Sequence, residues 1–376
     1  MDDLSSTARL SRYFTRVADA VKPDGKASTV LITHLLPQSP VFIAAMTELA
    51  PIAAILPKPK SVDPATLSNV AVAHTVDELD RATLSDPNGA LDYLEHRAGG
   101  QDIVLADIGG YFAPTLAHLC REFSGRILGV VEDTENGYRR YRDLAETPCP
   151  IVSVARSPLK QPEDYLVGQS CAFSAEALMR SVGDIPIGRP VAVIGFGKIG
   201  RAAAATLRAK GSVVRVFDTD PVRQARALSI GYTVARTCQE AIAGAGLVLC
   251  ATGNRSLRFD EFSRLPNGAH VATVTSSDDE LDLTGLADYY TVNPIAEHVS
   301  RWEIPGHYFH IHNAGNAVNF IHGAVVGAFI HLVQAEILAA TAGLIDGHYE
   351  LGHHEVSDEI RRQIASFWLD YFRENA

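Results

Sequence analysis

RPVAVIGFGKIGRAAAATLRAKGSVVRVFDTD, residues 189–220, decides how the rest of the chain is read. The apolar run 191–194 has the character of a buried parallel strand. It leads directly into Gly195-Phe196-Gly197-Lys198-Ile199-Gly200 and then into an alanine-rich helix over 201–210. The three glycines have separate tasks: one for the tight turn, one to let a pyrophosphate approach the backbone, one to let helix and strand pack closely. The helix start then offers free N–H groups and a partial positive charge to phosphates. A second apolar strand, 213–217, ends at Asp218, 18 residues after Gly200. A carboxylate there accepts from both hydroxyls of an adenosine ribose and repels a 2′-phosphate, which favours NAD over NADP. Strand, glycine motif, helix, strand and acid in that order define a dinucleotide-binding unit far better than the glycines alone.

Working outward, 376 residues are enough for two domains, and 47% hydrophobic with 20% charged residues describes an ordinary globular composition. A formal net charge of −11 with no basic run argues against a nucleic-acid surface. The five cysteines are scattered and form no CxxC pair, so neither a disulfide framework nor a zinc site is indicated. The N-terminal MDDLSSTARL has no signal-peptide pattern. The apolar stretch 317–344 is interrupted by Asn319, His322, His331, Gln334 and Glu336, so no membrane span is expected. These features point to a reduced, cytoplasmic setting.

Along the chain, an amphipathic helix over 5–21 precedes an alternation of strands and helices. Strands are expected at 28–34, 53–56, 70–74, 102–107, 127–132 and 151–155, with helices near 40–49 and 163–180. Such alternation makes a parallel sheet covered on both faces, with ligands at the carboxyl ends of its strands. His34, Asp107, Glu132 and Asp133 fall at those ends. The turn-rich 181–188 reads as a linker. The dinucleotide unit continues through strands at 247–252, 269–275 and 289–292, and a long helix follows 313–319. The fold class is therefore α/β: two domains, each a doubly wound, mostly parallel sheet. A Rossmann NAD-binding domain over 185–316 is inserted in a substrate domain over 1–184, and 317–376 returns to the latter as a helical, oligomer-contacting segment. His310 and His312 share one strand face, but no carboxylate or cysteine at matching spacing supports a metal. Edge-strand or oligomer-contact roles fit them better.

Several segments together resemble S-adenosylhomocysteine hydrolase. They are VVEDTENG (130–137), SPLKQPEDYLVGQS (157–170), GFGKIG, VFDTDPVRQA, ATGN (251–254), TVTSSDDELD (273–282) and NAGNAVNF (313–320), with THLLPQSP (33–40) and ADIGG (106–110) in the first half. The resemblance implies a bound NAD that is regenerated in each turnover. A nucleoside 3′-hydroxyl is oxidised, the acidified 4′-proton is removed, the 5′-substituent leaves, and water adds before the ketone is reduced again. It assigns Lys160 and Asp164 to the 3′-hydroxyl, His34 and Asp107 to acid–base work at the 5′ side, and Gln38, Asp133 and His322 to the substrate. To the cofactor it assigns Thr134, Asn136, Gly195, Gly197, Lys198, Ile199, Gly200, Asp218, Arg223, Thr252, Gly253, Val274 and Asn319.

Departures from the family are also visible. A histidine expected after the last cofactor-domain strand is Ser276, another is Val326, and the base-side threonine and glutamate read Leu36 and Gln38. The family's C-terminal lysine and tyrosine, lent to a neighbour, are not recognisable. The expectation is a divergent enzyme on an adenosine-type nucleoside, a hydrolase or dehydratase, assembled as a homodimer or homotetramer. Two rival readings are a net NAD-dependent dehydrogenase or epimerase on a sugar or hydroxy acid, and a non-catalytic NAD-binding regulator.

Overall fold

In a computed structural model, which describes residues 2–275 and 280–374, the chain divides into two compact units. Unit 1 comprises Met1–Gln161 with Gly327–Ala376, and unit 2 comprises Pro162–Val326. Ser276 lies outside the described residues. The strands of the first half are β1 Ser28–Leu35, β2 Ile52–Val62, β3 Asp102–Asp107, β4 Arg126–Glu132 and β5 Pro150–Ser153. Those of unit 2 are β6 Val191–Ile194, β7 Val214–Phe217, β8 Thr233–Val234, β9 Leu247–Cys250, β10 Ala269–Thr273, β11 Thr291–Ala296, β12 Val299–Ile304 and β13 His307–His312. The short β14, Gly352–His354, returns to unit 1.

Unit 1 has the order β14-β5-β4-β3-β1-β2, and every pairing in it is parallel. Because side chains alternate across a strand, Leu31, Val104, Val131 and Val152 face one core, and Val30, Ile103, Val130 and Ile151 face the other. The first core is closed by the helices Asp2–Val21, Ser39–Leu49, Ile330–Ile345 and Asp358–Phe372. Ile330–Ile345 is buried nearly all round, which is why its sequence lacks a polar face. Gly327–Ile345 is the one helical stretch, among the described residues, long and apolar enough to cross a membrane, and 72% of that window is buried in the protein.

Unit 2 has the order β11-β12-β13-β10-β9-β6-β7-β8, parallel except for the β11-β12-β13 meander. Val191, Val193, Leu247 and Leu249 face one core, and Ala192, Ile194, Val248 and Cys250 the other. Both sheets are thus covered on both faces, and the α/β class read from the sequence is what forms.

Three expectations need correction. Residues 70–74 are not a strand: Pro64–Ala73 is a helix whose N-cap Asp63 accepts from the Thr66 N–H at 2.8 Å, with proline in its first turn. Cap and proline outweigh the β-branched Val70 and Val72. The units part at 161/162 and 326/327 rather than at 184/185 and 316/317, because Gln161–Ser181 packs through Cys171, Ala175 and Met179 into the core of unit 2. Finally, β13 is not an edge strand; it lies between β12 and β10, and His310 and His312 pack their rings against His270 inside the sheet.

Within unit 1 the helix Ile330–Ile345 is tied to Asp358–Phe372 by Glu336, fully buried, which accepts from Arg361 Nε at 2.7 Å. Removing one partner leaves a buried charge unpaired, at roughly 3–5 kcal/mol, whereas replacing both with apolar groups costs far less. Arg361→Met is therefore expected to lower the urea midpoint strongly, with Glu336→Leu/Arg361→Met recovering most of it. Trp368 fluorescence reports the transition.

Candidate functional site

In unit 2 the glycine motif forms a cradle. Gly195 has φ +95°, and a Cβ there would lie 2.5 Å from the Ala251 carbonyl oxygen; at Gly200 it would lie 2.0 Å from the Gly195 oxygen. Both positions exclude any side chain. Gly197 is different, since its Cβ would meet only Arg223, at 3.9 Å, so the backbone here is open to a ligand. It is also the N-cap of Lys198–Ala209 and provides no side-chain cap, leaving the first-turn N–H groups for phosphate oxygens.

Asp218, 5% exposed at the end of β7, accepts from the Phe196 N–H at 2.6 Å and the Asp220 N–H at 2.9 Å. A carboxylate has about four acceptor sites, so two ribose hydroxyls can still be served. Arg223 lies 3.5 Å from both Asp218 and Asp220, and its charge is balanced by theirs. The cradle fits NAD.

The other cofactor-side residues of unit 2 fall around the same sheet. Thr252 Oγ1 donates to Glu280 at 2.9 Å and the Gly253 N–H to the same carboxyl at 2.7 Å. Glu280 is a buried clamp that sequence reasoning missed, and burial raises its pKa. Val274 is held by its N–H to the Cys250 carbonyl at 3.0 Å. Ile199 packs partly against the core. Asn319 is 4% exposed and its Oδ1 has no hydrogen-bond partner, an acceptor suited to a carboxamide N–H. His322 is hydrogen-bonded through Nδ1 to Ser174 Oγ at 2.9 Å, against the Phe173 ring. Asp164, in the first turn of Gln161–Ser181, pairs with Lys198 Nζ at 3.1 Å. His270, His310 and His312 are all held below the usual histidine range by burial, and no metal-holding group of three or more His, Cys, Asp or Glu exists among the described residues.

In unit 1 the remaining residues gather at the carboxyl ends of the strands. Lys160 closes the short turn Pro158–Lys160, and its Nζ lies 4.0 Å from Asp133 Oδ2. Asp133 is 8% exposed and its Oδ1 has no hydrogen-bond partner. His34 Nδ1 is hydrogen-bonded to Ser61 Oγ, which in turn donates to the Lys58 carbonyl at 3.2 Å. The hydroxyl proton being used there, Nδ1 carries the imidazole hydrogen and Nε2 is an acceptor. Burial of the ring, with the Lys58 and Lys160 ammonium groups nearby, holds His34 well below its usual pKa. Gln38 is half-buried at the start of the helix Ser39–Leu49. Thr134 caps the helix Glu135–Arg142, accepting from the Gly137 N–H at 2.9 Å, and Asn136 lies in that helix's first turn.

Asp107 does not present itself as the partner of His34. Its oxygens accept from the Tyr111 and Phe112 N–H groups at 2.9 and 2.8 Å and from the Tyr141 hydroxyl, so it clamps the turn after β3. Its neighbour Glu132, fully buried, accepts from the Gly109 and Thr134 N–H groups. Burial, then the charges of Asp107 and Asp133, push Glu132 up to about 8. The sequence places Glu132 at a strand end but gives it no role, and Tyr141 carries no signal at all.

Two outcomes follow from this geometry. Glu132 stays protonated in the folded chain while it ionises near its ordinary value when unfolded. Its share of stability is thus present below about pH 4.5 and is lost as pH rises to about 8, on the order of a few kcal/mol. Glu132→Gln is expected to flatten that slope in urea titrations between about pH 5 and 8. Asp218→Ala should weaken NAD binding roughly 10–100-fold, the worth of a charge-assisted hydrogen bond, and narrow the preference over NADP, as read by fluorescence titration.

Comparison with known proteins agrees with the cradle. Residues 170–323 match the family model described as S-adenosyl-L-homocysteine hydrolase, NAD binding domain. A curated adenosylhomocysteinase from Triticum aestivum is 30% identical over 192 residues, 49% of this chain and 39% of that protein, so the match spans well under half of the relative's length. Similar solved structures include a dipicolinate synthase subunit from Bacillus halodurans, 11% identical over 84% of this chain and 99% of that one, with a TM-score of 0.46. Another is an L-alanine dehydrogenase, 14% identical over 90% and 99%, with a TM-score of 0.39. Residues 170–323 thus match the NAD-binding domain of the S-adenosyl-L-homocysteine hydrolase family.

Proposed function

We propose that the protein is a cytoplasmic enzyme that acts on an adenosine-type nucleoside by transient oxidation of its 3′-hydroxyl, removal of the 4′-proton and elimination at C5′, ending in hydrolysis or dehydration. The observation that carries this reading is the buried Asp133 oxygen without a partner, beside Lys160. A desolvated acceptor next to a lysine suits a vicinal diol: one hydroxyl donates to Asp133 while the other meets Lys160 Nζ, whose neutral amine form takes its proton as the hydride leaves. NAD, when bound, supplies the hydride acceptor for C3′ and later the donor.

The chain's own groups do the rest. The Lys160 side chain is 12% exposed and its Nζ lies 4.0 Å from Asp133, so it is held where a ribose hydroxyl on Asp133 would meet it. Asp164, held by Lys198, is the residue that the family resemblance gives to the same hydroxyl. His34, kept neutral by burial and with Nε2 as an acceptor, takes up a proton during elimination and returns it to the departing group or to water. Asp107 and Glu132 act through the turns they hold and not on substrate.

Purified protein incubated with adenosine in deuterated buffer tests this. The expected result is reduction of bound NAD, seen by its near-ultraviolet absorbance, deuterium entry at C4′ and no build-up of free NADH. Lys160→Met should slow the exchange by about a hundredfold or more. Free NADH accumulating with turnover identifies a net dehydrogenase instead, and NAD that no nucleoside reduces identifies a non-catalytic NAD-binding protein.

A further inference from the structure

The pairing of β1 with β2 shifts register at two places, a small step between Thr29 and Val30 and a larger one between Thr33 and Leu35. Thr33 is opposite Pro57 and Leu35 is opposite Val62, so His34 alone faces Lys58, Pro59, Lys60 and Ser61. Such a bulge re-aims side chains at the end of a strand. Here it is built stiffly. Pro57 and Pro59 flank Lys58, fixing their own φ and confining Lys58 to extended backbone. Ser61, 6% exposed, ties the bulge back to β1 through His34 and to Lys58 through its carbonyl.

The bulge delivers a cation to the strand ends. Lys58 is half-buried and forms no ion pair among the described residues, and its Nζ passes over the turn after β3, 3.5 Å from where a Gly109 Cβ would be. Lys160 is already faced by Asp133, so the charge left uncompensated is that of Lys58. The helix Ser39–Leu49 begins a few residues after His34, and its N-cap Gln38 offers no side-chain cap, so its partial positive charge lies beyond the carboxyl end of β1.

We propose that Lys58, with Lys160, forms an anion-binding site beside His34 at the carboxyl ends of β1 and β2, and that the substrate carries a phosphate or carboxylate at its 5′ end. The second clause rests on the nucleoside reading above. A zwitterionic amino-acid tail fits poorly, because its ammonium would lie beside those of Lys58 and Lys160, while Asp133, the carboxylate beside Lys160, is given to the ribose in the reading above. The site therefore selects a net anionic 5′-group, and Lys58 sets that specificity.

Calorimetry on the full chain with its bound NAD tests both clauses. Inorganic phosphate at low salt is expected to bind wild-type protein, to bind Lys58→Met roughly tenfold or more weakly and to bind Lys58→Arg within a few-fold of wild type. Thermal melts control for folding of the variants. Adenosine 5′-monophosphate and adenosine 5′-carboxylate should each be compared with adenosine. Tighter binding of the charged nucleosides, lost in Lys58→Met, supports the proposal, and their order says which anion the site prefers. Phosphate binding that ignores Lys58, or equal affinity for charged and uncharged nucleosides, overturns it. If bound NAD is still reduced by adenosine in that case, the nucleoside chemistry survives. Anion binding that depends on Lys58 without reduction by any nucleoside leaves the site and removes the chemistry.

Discussion

Two buried carboxyl groups at the ends of adjacent parallel strands govern the arrangement of unit 1. Asp107 and Glu132 are both fully buried, and neither could persist there without donors. Asp107 draws in the Tyr111 and Phe112 N–H groups and the Tyr141 hydroxyl; Glu132 draws in Gly109 and Thr134. Each acid thereby shapes the turn that follows its own strand, and Glu132 reaches across to the turn after β3 as well. Gly137 is the counterpart of this arrangement, because a Cβ there would lie 1.6 Å from a Glu132 oxygen. With those turns held, Asp133 and Lys160 have fixed surroundings.

How much of this can be read beforehand depends on how local its cause is. The cradle is fully legible: strand, glycines, helix and Asp218 are contiguous, and each glycine does what steric reasoning requires. The strands of unit 1 are mostly legible from apolar runs. The helix Pro64–Ala73 misleads because its valines suggest a strand while its decisive features, Asp63 and Pro64, lie at its very start. The boundary of the units is misplaced because Gln161–Ser181 could join either core on sequence grounds, and only its packing decides.

Long-range features leave no sequence trace. Tyr141 reaches Asp107 across 34 residues, and Glu280 reaches Gly253 across 27. Nothing in either segment names its partner. Lys58 is an intermediate case: Pro57-Lys58-Pro59 is a conspicuous tripeptide, but its meaning depends on the register of β2 against β1. Together these groups give the strand ends an acidic floor kept close to neutral by a retained proton and a basic rim formed by Lys58 and Lys160.

The helix Ile330–Ile345 has a consequence for how the protein is made. Every residue of unit 2 precedes it, so that unit can complete its sheet while the ribosome is still translating. Unit 1 cannot, because one face of its sheet is covered only by Asp2–Val21 and Ser39–Leu49 until the stretch from Gly327 onward has emerged. During that interval an apolar surface of parallel strands is exposed in the nascent chain, which makes the earliest part of the polypeptide the last to become safe from aggregation and a natural client for chaperones.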